Sequence, residues 1–181
     1  MQEISHATVL AALDEAVGQI RRNLPHFTYQ CQNHSSVQSM YPPCENDQWT
    51  CGFWPGEVCL AYEHSRDPVF LYAAQILGES FLNRIEKKVA VDHHDMGFLY
   101  TPSCVSLTLL SGSERAGRAA ILAAKQLITR FHERGSFLQA WGEMGARENY
   151  RFIIDCLMNL PLLYWAADQT GEEKFREIAR R

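Results

Sequence analysis

Apolar residues along the first 25 positions recur at the spacing of a helix. One such residue follows another at intervals of one, three or four positions, as Val9, Leu10, Leu13, Val17, Ile20 and Leu24. This spacing places them on one face of an amphipathic helix. Pro25 lacks the backbone N–H that a helix interior requires, so it predicts the end of that helix.

A stretch without helical periodicity follows, from about Phe27 to Thr50. It is rich in Gln, Asn, Ser, Pro and His. The composition predicts a long loop, and long loops in compact domains often carry function.

The rest of the chain repeats one pattern three times. A mostly apolar helix is followed by a polar break and then by an amphipathic helix, and an acidic residue opens each second helix near its positive end. No alternating strand pattern of useful length competes. The copies span 53–85, 97–131 and 152–179, with breaks at 64–68, 111–114 and 169–172.

This repeat predicts an all-α protein built from helical hairpins. Apolar helices need cover on most sides and amphipathic helices on one side, so a ring of inner helices within a shell of outer helices satisfies both. The chain ends at Arg181, within the third outer helix. We therefore expect part of a ring, whose missing packing comes from further sequence or from another chain.

Composition narrows the class of protein. The chain has 181 residues, of which 46% are hydrophobic and 21% charged, as expected for one globular domain over residues 1–181. A net charge of −4 offers no basic surface for nucleic acid or a membrane. No apolar run reaches the ~20 residues that a membrane-spanning helix needs, and no glycine-rich nucleotide-binding motif is present.

The six cysteines favour reduced thiols rather than a disulfide framework or a zinc site. They form no Cys-x-x-Cys motif. Glu3, Asp14 and Glu15 lie where a secretory signal would need an apolar core. These features predict a cytoplasmic protein.

Asp155 is the first candidate for catalysis. It lies in the apolar run Phe152–Leu160, which predicts burial. Burial disfavours the charged form of a carboxyl group, as a general acid requires. The alternative is a structural aspartate that caps a helix.

The run Asp92-His93-His94-Asp95 is the densest polar cluster, and it precedes the second inner helix. It is open to three interpretations: a metal site, a helix-capping cluster or part of a catalytic site. We predict no metal, because adjacent side chains point in different directions and no second histidine pair follows. Catalysis is favoured because Asp95 and Asp155 each precede an inner helix and would face the same end of the ring.

The four tryptophans divide into two pairs. Trp54 and Trp165 lie in apolar helical stretches, which predicts that they belong to the core. Trp49 and Trp141 lie in loops before inner helices. An aromatic face at a pocket can stack on the apolar face of a sugar ring, so this second pair favours a carbohydrate site.

Four segments resemble the unsaturated glucuronyl hydrolases, glycoside hydrolase family 88. They are Asp47–Gly56, His93–Tyr100, Gln139–Gly142 and Ile153–Ala166, in the family's order over essentially the whole chain. The resemblance implies a six-hairpin (α/α) toroid, of which this chain supplies about the first half.

The resemblance also implies an activity. Such enzymes hydrate the C4=C5 double bond of the terminal unsaturated uronic acid in glycosaminoglycan-derived disaccharides, which releases the second sugar. By resemblance, Asp155 protonates C4 and assists water addition, and Asp95 is a second essential carboxylate. Trp49, His94 and Trp141 match substrate-contacting positions, and neither a metal nor an organic cofactor is required.

The chain lacks the later hairpins, which in the family hold the substrate carboxylate and read sulfation. Other interpretations therefore stay open. The chain could be an inactive truncated fragment or a carbohydrate-binding helical module. A third possibility is a scaffold that self-associates through exposed inner helices.

Overall fold

A computed structural model describes residues 5–181, so residues 1–4, including Glu3 and the start of the expected domain, lie outside the described part. Within it, eight α-helices account for most of the chain. They are α1 His6–Phe27, α2 Phe53–Ser65, α3 Pro68–Glu86, α4 Met96–Tyr100, α5 Ser106–Ser111, α6 Glu114–Ile128, α7 Leu160–Thr170 and α8 Glu173–Arg180. A π-helical turn, Thr101–Val105, joins α4 to α5, and 3₁₀ turns form at Arg147–Asn149 and Ile154–Asn159.

The predicted hairpin repeat is confirmed. Inner helices α2, α4–α5 and α7 are followed by outer helices α3, α6 and α8. Each inner helix ends at a left-handed residue whose N–H donates to the carbonyl four positions earlier: Arg66 (φ 58°), Gly112 (φ 69°) and Gly171 (φ 73°). Because the same stop recurs, the chain reverses in the same way three times.

The first helix extends past its predicted end. Pro25 lies inside the last turn of α1, which continues to Phe27. Thr28 closes this turn, since its N–H and its Oγ1 both donate to the Leu24 carbonyl, at 3.0 and 2.7 Å. A proline near a helix end therefore removes one hydrogen bond without ending the helix.

The apolar face of α1 is only partly covered. Leu24 is buried, whereas Val9, Leu10 and Leu13 are each more than 40% exposed. The amphipathic prediction thus holds for the sequence pattern, but the apolar residues in the first half of the helix remain exposed among the described residues.

The segment around Asp155 is also more open than predicted. The third inner helix begins as the 3₁₀ turn Ile154–Asn159, not at Phe152, and becomes α-helical at Leu160. Ile154 is 83% exposed, and Phe152, Leu157 and Met158 are exposed as well. The predicted burial holds for Cys156 but is wrong for these four residues, because no described element covers the outward side of the turn.

Two short antiparallel ladders were not predicted. β1 (Cys31–Gln32) pairs with β2 (Pro43–Cys44), and β3 (Phe131–His132) pairs with β4 (Phe137–Leu138). Strands of two residues are too short to show alternation in the sequence.

The core lies between the inner and outer helices. α6 packs closely against α3 and α4 because its buried face consists largely of small residues, namely Ala116, Gly117, Ala119, Ala120, Ala123 and Ala124. All six cysteines are free thiols. Among residues 5–181, none of the helices combines the length and apolar character that crossing a bilayer requires.

Candidate active site

Three of the predicted site residues meet at one end of the hairpins. His94 Nε2 lies 3.2 Å from Asp95 Oδ1 and 3.6 Å from Asp155 Oδ1. The His94 side chain is buried, Asp95 is 15% exposed and Asp155 is 36% exposed. One imidazole therefore lies between two carboxylates, and Asp155 is the member most open to a substrate.

The residues of the polar run 92–95 make two different sets of contacts. His93 Nδ1 lies 3.1 Å from Asp95 Oδ2, so both histidines contact the same carboxylate. Asp92 points away and accepts a hydrogen bond from the buried Arg130. Asp95 is the residue immediately before α4 but caps it with no side-chain hydrogen bond, which leaves its carboxylate oriented by the histidines.

Asn159 and Gly97 hold the two carboxylate-bearing segments together. Asn159 is fully buried, and its Oδ1 accepts a hydrogen bond from the Phe98 N–H at 3.0 Å. Its Nδ2 lies 3.5 Å from the Asp155 carbonyl oxygen. A Cβ on Gly97 would lie 2.2 Å from the Asn159 Cα, so only glycine permits this approach.

The ionisation of the site follows from these contacts. Burial by itself would lower the pKa of His94, but the hydrogen bond with Asp95 and the nearby negative charges raise it to about 9. Burial would raise the pKa of Asp95, yet its hydrogen bonds with His93 and His94 lower it to about 2. At neutral pH, His94 and Asp95 thus form an ion pair.

Asp155 stands outside that ion pair. Its Oδ1 is buried and has no hydrogen-bond partner within residues 5–181. The distance of 3.6 Å to His94 Nε2 is too long for a hydrogen bond. A buried oxygen without a partner can hold a proton or accept a hydrogen bond from a ligand.

Trp141 lies beside the histidine. The two ring centroids are 6.4 Å apart, and Trp141 is 45% exposed. The backbone N–H of His94 donates to the Ala140 carbonyl at 2.8 Å, which fixes the Trp141 loop next to the trio. Arg151 covers one part of the indole, with its guanidinium carbon 5.2 Å from the ring centroid.

Trp49 is linked to the site through another residue, Phe98. It is also 45% exposed, and its ring packs edge-on against Phe98 at 5.9 Å. Its loop lies close to α4, because a Cβ on Gly52 would come within 2.3 Å of the Phe98 carbonyl oxygen. Trp54 is buried and donates to the Phe27 carbonyl, which confirms its predicted core position; Trp165 is partly buried.

His94, Asp95 and Asp155 also offer donor atoms to a metal ion. One ligand atom from each of His94, Asp95 and Asp155 lies within 4.8 Å of the others. A metal requires a neutral imidazole, so binding one would displace the proton that the raised pKa of His94 favours. The donor set fits an imidazolium between carboxylates better than a metal centre.

The sequence interpretation missed residues that support the site. Asn159 and Gln139 were not predicted as site residues, and His93 was considered only as a member of the polar run 92–95. Asn159 had a signal, since it is a polar residue within the apolar run that contains Asp155. Gln139 is fully buried and donates from Nε2 to the Trp141 carbonyl at 3.0 Å, a contact that no sequence pattern indicates.

The three helical hairpins, with two carboxylates at their loop end, agree with part of an α/α toroid. A sequence profile for Glycosyl Hydrolase Family 88 matches residues 20–181. The chain belongs to this family.

Curated relatives agree with this assignment. An unsaturated chondroitin disaccharide hydrolase from Streptococcus pneumoniae (strain ATCC BAA-255 / R6) is 44% identical over 168 residues, which is 93% of this chain and 42% of the relative. An unsaturated glucuronyl hydrolase from Bacillus sp. (strain GL1) is 38% identical and aligns with 93% of this chain and 45% of the relative. The chain therefore spans less than half the length of these relatives.

Solved structures confirm the fold. The unsaturated glucuronyl hydrolase from Streptococcus agalactiae superposes with a TM-score of 0.91 at 40% identity, over 98% of this chain and 45% of that one. The enzyme from Bacillus sp. GL1 superposes with a TM-score of 0.89 at 38% identity, over 93% and 45%. The fold is thus that of the α/α toroid of these enzymes, of which the chain covers about 45%.

Proposed function

We propose that residues 1–181 form a partial α/α-toroid catalytic domain of an unsaturated glucuronyl hydrolase. The substrate would be an unsaturated disaccharide derived from a glycosaminoglycan. The observation that carries the proposal is the placement of Asp155 beside, but outside, the His94–Asp95 ion pair. Free thiols support a reducing, cytoplasmic location as part of this proposal.

The proposed reaction begins with proton transfer. The C4=C5 bond is a vinyl ether and is electron-rich at C4, so the Asp155 carboxyl group donates its proton there. Positive charge then develops at C5 and the ring oxygen. The Asp95 carboxylate stabilises this charge, because a fixed anion in a partly buried site acts most strongly on charge formed in the transition state.

Water addition completes the proposed reaction. The Asp155 carboxylate accepts a proton from water as oxygen bonds to C5, which restores the acid. The resulting C5 hemiketal opens to a ketone, which leaves the former ring oxygen as a hydroxyl group on C1. This C1 hemiacetal then collapses to an aldehyde, and the second sugar leaves with its glycosidic oxygen and the proton of that hydroxyl group. The proposed scheme needs neither a metal nor an organic cofactor.

Relatives support the assignment of the two carboxylates. Two aspartates were each changed to asparagine in structures of the unsaturated glucuronyl hydrolase from Streptococcus agalactiae. One of these variant structures is complexed with dGlcA-GalNAc6S. The separation of the two aspartates along that chain equals the separation of Asp95 and Asp155 along this one. Trp49, His94 and Trp141 remain proposed substrate contacts. Trp141 has the stronger geometric support, since it touches the trio and Trp49 does not.

Product analysis tests the proposal. The protein is incubated with an unsaturated chondroitin disaccharide, and the sugars are separated and identified by mass. We expect release of the second sugar by the wild-type protein and by Asp168→Asn, which lies in the last turn of α7 on an exposed ion pair. Asp155→Asn and Asp95→Asn should release little, and equal release by all four proteins would contradict the assignment.

A carbohydrate-binding module is the second candidate. The two half-exposed tryptophans favour it, because they would stack on sugar rings whether or not chemistry follows. This candidate predicts calorimetric binding of the same disaccharide that survives Asp155→Asn, with no product. Turnover by the wild-type protein would exclude it.

We also propose self-association through the exposed inner face. Leu60, Leu109, Ile154 and Leu157 are all more than 55% exposed, although they belong to inner helices or to the turn that begins one. Sedimentation velocity tests this. A concentration-dependent dimer that is lost in Leu109→Glu supports it, and a monomer at all concentrations contradicts it.

A further inference from the structure

Three loops carry the site residues other than Asp155, which lies in the turn Ile154–Asn159. The first site loop is 28–52 and carries Trp49, the second is 87–95 and carries His94 and Asp95, and the third is 129–153 and carries Trp141. The three loops belong to different hairpins, so helix packing alone does not fix the distances between their side chains.

Two buried arginines lie beneath these loops. Arg84 is on the last turn of α3 and is 2% exposed, and Arg130 follows the end of α6 and is fully buried. A charged side chain is rarely this buried without a full set of partners. Neither arginine contacts the carboxylate of Asp95 or Asp155. The role of each arginine therefore follows from the hydrogen bonds that its guanidinium group donates.

Arg84 connects the first and second site loops. In the first loop, Nη1 donates to Asn46 Oδ1 and to the Gln48 carbonyl, each at 3.0 Å. In the second loop, Nε donates to the Val89 carbonyl at 3.2 Å and Nη2 to the Ala90 carbonyl at 2.8 Å. The residue after Gln48 is the exposed tryptophan of the first loop.

Arg130 connects the second and third site loops in the same manner. Nη1 donates to the Asp92 carbonyl at 3.1 Å and to Asp92 Oδ1 at 2.5 Å. In the third loop, Nε donates to the Gln139 carbonyl at 2.8 Å and Nη2 to the Gly142 carbonyl at 2.9 Å. These two carbonyls flank Trp141.

We propose that Arg84 and Arg130 are positioning residues that set the spacing of the three site loops. Each guanidinium is planar and presents five donors in a fixed fork, so four acceptors from two loops are held at defined positions. Lysine carries the same charge on a single nitrogen and cannot reproduce this fork. The effect on activity rests on the proposed hydrolase function, whereas the connection between loops does not.

Hydrogen exchange measured by mass spectrometry tests the connection without any substrate. Arg84→Met should accelerate exchange about tenfold in the first and second loops and leave the third unchanged. Arg130→Met should accelerate exchange in the second and third loops and leave the first unchanged. Arg118→Met, which removes an exposed ion pair with Glu86, is the matched control and should alter none of the three.

Lysine variants separate positioning from charge. Arg84→Lys and Arg130→Lys should show the same loop-specific acceleration of hydrogen exchange. If a methionine variant does not fold, the corresponding lysine variant is compared with the wild-type protein instead. Uniform acceleration along the chain, no acceleration, or full rescue by lysine would overturn the proposal. If the wild-type protein turns over the disaccharide, Arg130→Lys should lower kcat/KM about 10²-fold, the loss expected for displaced site groups. If the wild-type protein does not turn over the disaccharide, the hydrolase proposal fails. The exchange pattern still decides whether the two arginines set the spacing of the loops.

Discussion

Gly97 and Asn159 touch so closely that a Cβ on the glycine would lie 2.2 Å from the Asn159 Cα. This contact joins the start of α4, which follows Asp95, to the turn that carries Asp155. The two carboxylates therefore owe their proximity to one backbone-to-backbone approach.

Gly97→Ala should force this contact apart. We expect a loss of roughly 1–3 kcal/mol in the free energy of unfolding, measured with urea, because the obstructing atoms are backbone and cannot rotate away. Gly18→Ala is the control, since its Cβ would meet only the end of the Arg22 side chain at 3.5 Å in the middle of α1. That variant should gain up to about 1 kcal/mol from helix propensity, and equal behaviour of the two variants would contradict the account.

Asn159→Ala should weaken the same junction for a different reason. It leaves the partly buried Phe98 N–H without its acceptor, at a cost of about 1–3 kcal/mol. Asn149→Ala is the comparison and should cost less, because the Asn149 side chain is only half-buried and its Nδ2 donates a long hydrogen bond of 3.4 Å to the Glu143 carbonyl. Urea unfolding of both variants measures this, and a smaller loss for Asn159→Ala would contradict the assigned role.

The His94–Asp95 pair predicts a pH dependence of stability. Folding raises the pKa of His94 from 6.5 to about 9, so its stabilisation is complete below pH 6.5 and is lost as the pH rises through about 9. Folding lowers the pKa of Asp95 from 3.8 to about 2, so its stabilisation is complete above pH 3.8 and is lost towards pH 2. The alkaline loss should be on the order of 3 kcal/mol.

NMR titration of the His94 ring checks the origin of this effect. Asp95→Asn should lower the pKa of His94, because it removes the acceptor that stabilises the imidazolium. Asp168→Asn should leave it at about 9. A His94 ring that is neutral at pH 7 in the wild-type protein would refute the ion pair.

The two kinds of tryptophan should respond differently to substitution. Trp141→Ala should weaken disaccharide binding by about 1 kcal/mol or more, since it removes an aromatic face beside His94. Trp54→Ala should instead lower the free energy of unfolding by about 3–5 kcal/mol, because that ring is buried. Calorimetry and urea unfolding separate the two effects, and a stability loss without a binding loss in Trp141→Ala would contradict its role.

Periodicity was sufficient to predict the hairpins, because inner and outer helices differ in how much of their surface is apolar. It failed around Asp155, where an apolar run predicted burial but one side of the turn is exposed. An apolar sequence indicates that a segment is suited to burial, whereas its actual burial depends on which element packs against it. Arg84 and Arg130 were also overlooked, although each follows an apolar stretch of an outer helix. Most of their acceptors are backbone carbonyls of the site loops, which leave no pattern in the sequence.

The central claim is that Asp155 supplies the proton that starts hydration of the double bond. The most direct measurement is the rate at which an unsaturated chondroitin disaccharide loses the ultraviolet absorbance of its conjugated C4=C5 bond. The account predicts that the wild-type protein and Asp168→Asn consume this absorbance, and that Asp155→Asn does so about 10²–10⁴-fold more slowly, as expected when a general acid is removed. Consumption by Asp155→Asn at the wild-type rate would contradict it.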